Sequence, residues 1–259
     1  MYDTSGSKID IKSIYHPSPR DLNLMSPDLS VVVLAYHAED SIIGFVDELS
    51  LRLRSEEISD YEIVLVANFD KGDVRDRTPK IARRLAEREP RIRALTDPKE
   101  GMMGWDAQRG LRAAMGKVIA LIDGDGQMPS EDICRAYRVM VSDEFDFVKT
   151  YRVSREDGIF RLLSSRVFNL IFHLLFPKCQ FRDVNSKPKV FSRKALDQMN
   201  LNCDGWFFDG EVILEAMRLQ LVFAEIPTKF RKNEWRGSFV KASAIFEMLI
   251  SLLRYRFRR

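Results

Sequence analysis

Residues 29–35 read Leu-Ser-Val-Val-Val-Leu-Ala, a short run that is apolar and rich in β-branched side chains. Runs of this kind are typical of a strand that is buried on both faces of a parallel sheet. Apolar residues then recur at helical spacing between Asp40 and Leu53, and Tyr61–Val66 is a second apolar run. A strand, a helix and another strand in this order predict a βαβ unit with a right-handed crossover.

The same alternation continues through the first half of the chain. Helical spacing covers Val74–Glu89, Gly104–Met115 and Pro129–Val141, and strand-like runs lie at Arg91–Leu95, Val118–Ile122 and Asp146–Thr150. We therefore expect an α/β domain with a mostly parallel, Rossmann-like sheet flanked by helices. Ligands bind beyond the carboxyl ends of the strands in such sheets, so the residues after Leu34, Val66 and Ile122 are the first candidates for a site.

The composition indicates a folded chain with one sizeable core. The chain has 259 residues, of which 45% are hydrophobic and 31% are charged. Its longest apolar stretches fall far short of the ~20 residues that a membrane-spanning helix needs. Residues 1–30 hold no apolar run that could serve as a signal-peptide core, and the three cysteines are widely spaced. We expect a reducing cytoplasmic setting, with neither a disulfide framework nor a cysteine zinc site.

Charge is segregated along the chain, although the net charge is only +3. Residues 149–194 contain eleven Lys and Arg against three Asp and Glu, and residues 229–259 contain nine against two. Residues 1–148 are acidic, with 27 Asp and Glu against 20 Lys and Arg. This pattern indicates a positive surface that faces an anion, and an acidic part that can hold a cation. Solvated helix faces that happen to be basic are the alternative.

Two segments are predicted to be amphipathic helices edged with arginine. The first covers residues 159–176, and the second begins near Ile245 and ends in the basic run at 254–259. Such faces are compatible with the headgroup layer of an anionic bilayer. For each helix alone, packing on the sheet or in a dimer contact is an equally good interpretation. Together they favour peripheral attachment to the cytoplasmic face of a membrane, and a homo-oligomer is left open.

The strongest local signal is at residues 121–127, which read Leu-Ile-Asp-Gly-Asp-Gly-Gln. Asp123 and Asp125 follow a buried strand and precede a turn, so they can present oxygen ligands to a divalent cation. A cation held there would neutralise a diphosphate. An ordinary surface turn is the alternative for the tetrapeptide alone, but its place after Val118–Ile122 favours the metal site.

With these motifs the chain resembles the inverting glycosyltransferases of family 2, which have the GT-A fold, over roughly residues 29–253. It is most similar to the branch that makes dolichyl- or polyprenyl-phosphate sugars. Val31–Glu39 is similar to the opening strand and loop of that family, and Asp123-Gly124-Asp125 falls on its acidic motif. The family's glycine-alanine pattern before that motif is matched by Gly104, Gly110, Ala114 and Gly116.

The resemblance implies a metal-dependent, inverting transfer of a sugar from a nucleotide-diphosphate sugar to a polyprenyl phosphate. It implies Mg²⁺ or Mn²⁺ as the cofactor, and we expect no nucleic-acid partner. The residues that it assigns to the cation are Asp123, Asp125 and Gln127. The residues that it assigns to the nucleotide are Ala35, Tyr36, Glu39, Asn68, Gly104, Asp123 and Gly124.

Matches in the second half are more specific for the branch. Arg152 and Arg155 resemble its arginine-containing segment, and residues 164–169 resemble its first interfacial helix. Residues 182–193 look like its acceptor-side loop and strand. The family's acidic helix start, closing strand and arginine loop are similar to residues 205–211, 225–227 and 236–238.

Three departures from the family pattern affect the nucleotide loops. The usual Pro-Ala-Tyr-Asn-Glu-Glu is replaced by the residues Leu34–Glu39, and the usual Val-Asp-Asp-Gly-Ser by Val66–Asp70. The lysine usually found between the glycines is missing, and Met102 and Met103 stand there. The neutral amide of Asn68 can donate as well as accept a hydrogen bond, so the base of the nucleotide is left open.

Two acceptor classes make different chemical demands. A hydroxyl needs a carboxylate as general base, for which Asp209 or Glu211 is the candidate, whereas a lipid phosphate is already anionic near neutral pH. With a phosphate, either carboxylate would instead position the donor sugar or an arginine. Cations would clamp the phosphate, and the candidates are Arg152, Arg155, Arg182 and Lys189. The full set predicted to be catalytic is Asp125, Asp209, Glu211, Arg152, Arg155 and Arg236.

Three segments are expected along the chain: a polar arm at 1–28, a GT-A domain at 29–241 and a basic amphipathic helix at 242–259. The function expected is that of a peripheral membrane enzyme that glycosylates a polyprenyl phosphate. One alternative is a soluble family 2 transferase that acts on a sugar or protein hydroxyl. The other is a relative that binds nucleotide or lipid without catalysis, which the substitutions at Ala67, Asn68 and Met103 suggest.

Overall fold

The computed structural model describes residues 26–155, 159–232 and 242–257. Within these ranges the strands are β1 (Leu29–Leu34), β2 (Tyr61–Val66), β3 (Ile92–Leu95), β4 (Val118–Asp123), β5 (Phe147–Arg155), β6 (Lys189–Ser192) and β7 (Phe223–Phe230). The helices are α1 (Ser41–Ser55), α2 (Thr78–Arg88), α3 (Met103–Ala113), α4 (Glu131–Ser142), α5 (Ile159–Leu175), α6 (Arg193–Gln198), α7 (Phe208–Arg218) and α8 (Ala242–Phe257). The strands and helices predicted for the first half are confirmed, with small differences at their ends.

The described strands form one seven-stranded sheet in the order β3-β2-β1-β4-β6-β5-β7. β1 pairs in parallel with both β2 and β4, and β5 pairs in parallel with β7. β6 runs antiparallel to β4 on one side and to β5 on the other. The expected α/β architecture with a mostly parallel sheet is confirmed, and β6 is the exception to the common direction.

The reversed strand β6 determines what lies at the edge where the parallel strands end. Lys189 pairs with Leu121 of β4 and with Lys149 of β5, so β6 begins near the carboxyl end of β4 and opposite the third residue of β5. Residues 182–188, which lead into β6, therefore lie at the same edge as Asp123. The alternation of strands and helices does not predict this reversal, because β6 has four residues and follows a long irregular segment.

Apolar side chains are buried on both faces of the sheet. In β1, Val31 and Val33 pack with α1, α2 and α4, whereas Val32 and Leu34 pack with α3 and α7 on the opposite face. Full burial of each such side chain stabilises the folded state by roughly 1.5–3 kcal/mol relative to leaving it exposed. This two-sided burial explains why β1 reads as a continuous apolar run and not as an alternating one.

Helices α5 and α8 pack against each other and keep part of their apolar surface in solvent. The exposed apolar side chains of the two helices are Leu163, Val167, Leu170, Leu174, Phe246, Leu253 and Phe257. Phe168 and Leu252 are buried in the core, so each helix has an inner apolar face as well as an outer one. Within the described ranges no helix is both long and apolar enough to cross a bilayer.

The predicted division into arm, domain and terminal helix stays a prediction. Residues 1–25 of the expected arm lie outside the described part of the chain. The expected terminal segment begins at the residue where α8 begins, Ala242. Because α8 buries Leu252 against the same cluster as α3 and α7, it is packed on the sheet domain and is not a separate body.

Substitution of Gly110 by alanine tests the close packing of α3 on the sheet. A Cβ atom at Gly110 would lie 2.3 Å from Val32 Cγ1 and 2.8 Å from Val66 Cγ2. We expect Gly110→Ala to lower the free energy of unfolding by about 1–3 kcal/mol, since overpacking forces side chains out of their preferred rotamers. Chemical denaturation followed by circular dichroism measures the change.

Gly44→Ala is the matched control, because nothing lies within 4 Å of the Cβ position of Gly44 in α1. There the substitution favours the helix and restricts the unfolded chain, so the free energy of unfolding should rise by about 0.5–1 kcal/mol. Equal effects at the two glycines would contradict the tight contact between α3 and the strands.

Candidate active site

Three loops meet at the carboxyl end of the parallel strands. Leu34 of β1 pairs with Val66 of β2 and with Asp123 of β4. Two backbone bonds extend this register: Ala35 N–H donates to Val66 O, and Gly124 N–H donates to Leu34 O, both at 2.8 Å. The loops that follow β1, β2 and β4 are thereby brought to one edge, which is where a ligand site is expected in such a sheet.

The acidic pair Asp123 and Asp125 lies at this edge, on either side of Gly124. The side chain of Asp123 is 39% exposed. Asp125 Oδ1 accepts a hydrogen bond from Gln127 N–H at 3.1 Å, which orders the turn. Gly124 leaves no room for a side chain, because a Cβ atom there would lie 2.8 Å from Ile42 Cδ1. Packing therefore explains this glycine, and its predicted contact with a nucleotide stays a prediction.

Gln127 completes the oxygen set predicted for a divalent cation. Its Nε2 donates to Arg231 O at 3.1 Å, which leaves Oε1 as the atom that a cation would use. Two carboxylates and an amide oxygen are ligands that Mg²⁺ and Mn²⁺ accept, with positions left for phosphate oxygens and water. In the part of the chain that the structure describes, no three His, Cys, Asp or Glu side chains converge. The residues present fit a cation shared with a diphosphate, and their assignment to it stays a prediction.

Lys187 is a candidate functional residue that the sequence patterns did not identify. Its Nζ lies 3.2 Å from Asp123 Oδ2 and 3.1 Å from Asp209 Oδ2, and its side chain is 4% exposed. Burial by itself lowers the pKa of a lysine, but the two carboxylates reverse this effect and raise the pKa of Lys187 above its ordinary value. Lys187 is therefore a fixed positive charge between two acidic groups.

Two further lysines, Lys189 on β6 and Lys149 opposite it on β5, are fully buried. Lys189 Nζ donates to Asp209 Oδ1 at 2.7 Å and to two carbonyl oxygens of the preceding loop at 3.0 Å. Burial lowers the pKa of Lys189 to about 8, although Asp209 opposes the shift. Lys149 Nζ pairs with Glu225 Oε1 at 3.1 Å. Lys189 is one of the four candidates for the phosphate clamp, and the burial of its ammonium group beside Asp209 argues against that role.

Asp209 lies in the first turn of α7, where both of its carboxylate oxygens accept hydrogen bonds from lysine. Burial by itself raises the pKa of a carboxyl group, but Lys187 and Lys189 hold the pKa of Asp209 below its ordinary value. A carboxylate with a lowered pKa is a poor proton acceptor. The geometry therefore favours Asp209 as the anchor of two lysines over Asp209 as a general base.

Glu211, the other candidate base, is held by backbone N–H groups and by a tyrosine hydroxyl. Its side chain is buried, and its carboxylate accepts hydrogen bonds from Asn202 N–H at 3.1 Å and Cys203 N–H at 2.8 Å. The hydroxyl group of Tyr255 in α8 donates to the same carboxylate. These bonds hold the loop before α7 and the end of α8, so the structure argues against a role of Glu211 as a base.

The loop after β1 contains Tyr36 and Glu39, which were predicted to bind the nucleotide. The Tyr36 hydroxyl donates to Asp70 Oδ2 at 2.6 Å, which joins this loop to the one after β2. The Glu39 carboxylate accepts two hydrogen bonds from Arg77, from the backbone N–H and from Nε, both at 3.0 Å. Together with Ala35 these residues border the acidic strand end, and their contact with a nucleotide stays a prediction.

Asn68 is 1% exposed, and both ends of its amide group are engaged inside the protein. Its Nδ2 donates to Asp106 Oδ1 at 2.9 Å, and its Oδ1 accepts the Asp97 N–H at 2.8 Å. Lys99 pairs with the second oxygen of Asp106. Asp70, two residues further along the same loop, is exposed. A contact between Asn68 and a nucleotide base would require this buried network to open.

Gly104, at the start of α3, lies against the loop before α7. A Cβ atom there would lie 2.1 Å from Cys203 O and 2.7 Å from Gly205 O. Its N–H donates to Gly205 O at 3.1 Å. The glycine is explained by this close approach of two backbones, and a contact with the nucleotide stays a prediction.

A groove of about 380 Å³ lies between the end of β5 and α5. Arg152 in its wall forms a bidentate pair with Asp183, in which Nε lies 2.6 Å from Oδ2 and Nη2 lies 2.7 Å from Oδ1. Since that pair is neutral, the exposed Arg166 and Arg182 give the groove its positive charge. The loop from Arg182 to Lys187 runs from the groove to the acidic strand end.

The three arginines predicted to be catalytic differ in what the structure says of them. Arg152 lines the groove but is already paired with Asp183, whose pKa it holds well below the ordinary value against the opposing effect of burial. Arg155 ends β5, and its side chain lies outside the described part. Arg236 lies outside the described residues altogether.

Taken together, the edge holds an acidic pair backed by lysine and a neighbouring cationic groove. The acidic pair with a divalent cation suits a diphosphate, and the groove suits a second anion. Residues on four strands and on the start of α7 contribute to this edge. Such an arrangement can bring two anionic substrates side by side.

Comparison with known sequences connects this edge to an enzyme family. Residues 30–199, more than half of the chain, match the profile of Glycosyl transferase family 2. A dolichyl-phosphate beta-glucosyltransferase from Trichomonas vaginalis is 27% identical over 241 residues, which cover 87% of this chain and 72% of that protein. An undecaprenyl-phosphate 4-deoxy-4-formamido-L-arabinose transferase from Yersinia pestis is 26% identical over 182 residues, covering 70% of this chain and 54% of that protein.

Comparison with solved structures concerns the fold. Glucosyl-3-phosphoglycerate synthase from Mycobacterium tuberculosis, in complex with Mn²⁺, UDP and glucosyl-3-phosphoglycerate, is similar to this chain with a TM-score of 0.68. The two are 18% identical, and the match covers 93% of this chain and 86% of that one. The likeness confirms the GT-A fold expected from the sequence.

Substitution of Glu211 by glutamine tests whether this side chain is structural or catalytic. An amide cannot accept at both positions, so one buried donor loses its partner, and we expect a loss of about 1–3 kcal/mol in the free energy of unfolding. Tyr255→Phe is the control that removes only the contact from α8, and its loss should be smaller. Chemical denaturation and the binding of the nucleotide sugar are measured on each variant. If Glu211→Gln keeps the stability of the wild type but no longer binds the nucleotide sugar, the structural role of Glu211 is contradicted.

Proposed function

The chain belongs to glycosyltransferase family 2 and is a glycosyltransferase, and we propose that it transfers a sugar from a nucleotide-diphosphate sugar to a polyprenyl phosphate at a membrane surface. Relatives named for transfer to dolichyl phosphate and undecaprenyl phosphate support this acceptor class. The similar solved structure contains UDP, which supports a nucleotide-linked donor. The proposal is therefore a lipid-phosphate acceptor and a nucleotide-sugar donor that meet at the edge of the sheet.

The observation that carries the proposal is the cationic groove on the same edge as Asp123. Arg166 and Arg182 are exposed in its wall, and planar guanidinium groups suit the oxygens of a phosphate. Leu170 also lines the groove and is exposed on α5. A polyprenyl phosphate would place its phosphate between the arginines, and its tail would leave the groove along the apolar side of α5.

A phosphate acceptor also suits a site whose two predicted bases are already engaged. Asp209 is paired with two lysines, and Glu211 is bonded to backbone N–H groups and to Tyr255. A hydroxyl acceptor needs a proton acceptor of suitable pKa, whereas a phosphate monoester is mostly ionised at neutral pH because its second pKa is about 6. This contrast supports the lipid phosphate over the hydroxyl acceptor.

The nucleotide-sugar donor would bind at the acidic strand end. Asp123, Asp125 and Gln127 would hold Mg²⁺ or Mn²⁺, which supplies positive charge to the diphosphate as it departs. The loops that carry Tyr36 and Asp70 border the same edge and would enclose the nucleoside. The acceptor oxygen would then approach the sugar carbon from the side of the groove.

The apolar surfaces of α5 and α8 support attachment to a bilayer, where a polyprenyl phosphate resides. Leu174 on α5 and Phe257 on α8 are exposed, and Arg254 and Arg256 lie in the last turn of α8. Apolar side chains beside arginines suit the headgroup layer of an anionic membrane. Peripheral association of this kind would bring the groove to the lipid.

The activity is tested with a labelled nucleotide sugar, polyprenyl phosphate in detergent and Mn²⁺. We expect label to enter a lipid that partitions into organic solvent. Asp125→Ala should lower the initial rate roughly 100-fold or more, as does the loss of other groups that stabilise developing charge. Asp197→Ala is the control, because Asp197 is an exposed residue of α6 away from the acidic edge. Label in a hydroxyl acceptor, with none in the lipid, would refute the proposal.

Membrane attachment is tested by changing one exposed leucine on α5. Leu174 is 71% exposed, and Leu174→Glu removes apolar surface and adds a charge that anionic lipids repel. We expect binding to vesicles containing anionic phospholipid, measured by sedimentation, to weaken roughly tenfold or more. Leu51→Glu is the control, because Leu51 is 66% exposed on α1, a different helix on the opposite face of the sheet. Equal pelleting of the two variants would count against α5 as the membrane contact.

A further inference from the structure

Lys187 lies at the acidic edge and has no role in the reaction proposed above. Its ammonium group contacts three side chains of the site: Asp123 Oδ2 at 3.2 Å, Asp209 Oδ2 at 3.1 Å and Met103 Sδ at 4.0 Å. Lys189, which is two residues further along, makes two of its three hydrogen bonds to backbone carbonyl groups and serves the fold. Lys187 therefore faces the acidic edge, whereas Lys189 faces the core.

The buried charges around Asp209 are unequal in number. The two ammonium groups of Lys187 and Lys189 face the single carboxylate of Asp209. The remaining hydrogen bonds of Lys189 go to neutral carbonyl groups, so the excess positive charge is met by Asp123. Asp123 is 39% exposed and Lys187 is 4% exposed. The carboxylate that is predicted to bind a cation therefore already has a positive partner on its buried side.

We propose that Lys187 is a positioning residue that holds Asp123 and weakens the binding of a divalent cation to the acidic pair until a diphosphate is also present. The inference rests on the cation site of the proposed function. The ammonium group shares an oxygen of Asp123 and repels a second cation at that carboxylate. A diphosphate brings negative charge that Lys187 attracts. A bound diphosphate would share the ammonium group with Asp123 and offset its charge, so the cation and the diphosphate strengthen each other's binding.

The direction of the effect separates this role from a structural one. Neutralising Lys187 removes the repulsion, so Mn²⁺ alone binds more tightly to the variant. The same change removes an attraction for the diphosphate, so pyrophosphate binds less tightly in the presence of Mn²⁺. Damage to the fold would weaken the binding of both Mn²⁺ and pyrophosphate and would not tighten the binding of either.

The test uses the full chain with Mn²⁺ alone, titrated by electron paramagnetic resonance of the free ion, and then with inorganic pyrophosphate, which carries the diphosphate without a base. In Lys187→Gln we expect Mn²⁺ alone to bind about tenfold more tightly than in the wild type, as one screened like charge is lost. Lys187→Arg keeps the charge and should behave as the wild type. Lys194→Gln makes the same change in net charge at an exposed position on α6 and should not alter Mn²⁺ binding.

Asp209→Asn provides a second variant with the opposite expected sign. It removes one of the two carboxylates of Lys187, so the ammonium group is held more strongly by Asp123, and Mn²⁺ alone should bind less tightly. Thermal unfolding establishes that each variant is folded. Unchanged or weaker Mn²⁺ binding in folded Lys187→Gln, or tighter binding in Asp209→Asn, overturns the inference. Failure of the wild type to bind Mn²⁺ even with pyrophosphate overturns the cation site of the proposed function instead.

Discussion

Buried lysines require carboxylate partners, and this requirement holds the acidic edge of the sheet together. An ammonium group removed from water without a partner costs several kcal/mol, and Lys187 and Lys189 share Asp209 to avoid it. Through these contacts the first turn of α7 is fixed to β6 and, by way of Asp123, to the end of β4. Apolar burial builds the sheet, and charge pairing places the functional groups on it.

The sheet could be predicted from the sequence, but most of the charge pairing could not. Continuous apolar runs such as Leu29–Leu34 mark strands that are buried on both faces, and the position of Asp123 follows from the end of such a run. Lys149 and Lys189 lie in or beside predicted strands, but lysine is usually exposed. Only the reversed strand β6, inserted between two parallel strands, turns both lysines into the core.

Side chains whose partners are distant in the sequence were also beyond prediction. Glu211 reads as a helix-start carboxylate, and its contact is with Tyr255 of α8, which lies 44 residues further along the chain. Asn68 reads as a ligand of the nucleotide base until its bonds to Asp106 and Asp97 N–H are seen. In both cases the residue type and its position are evident from the sequence, but tertiary packing decides which atoms remain available.

Helix α8 is bonded to the protein at two points beside the Asp209 turn. Glu247 Oε1 accepts the Trp206 N–H at 3.0 Å, and the Tyr255 hydroxyl donates to Glu211. Trp206 and Glu211 flank the turn that carries Asp209. A displacement of α8 would therefore disturb the turn that carries Asp209. The positions of Lys187 and Lys189, which pair with Asp209, thus depend on how α8 is packed.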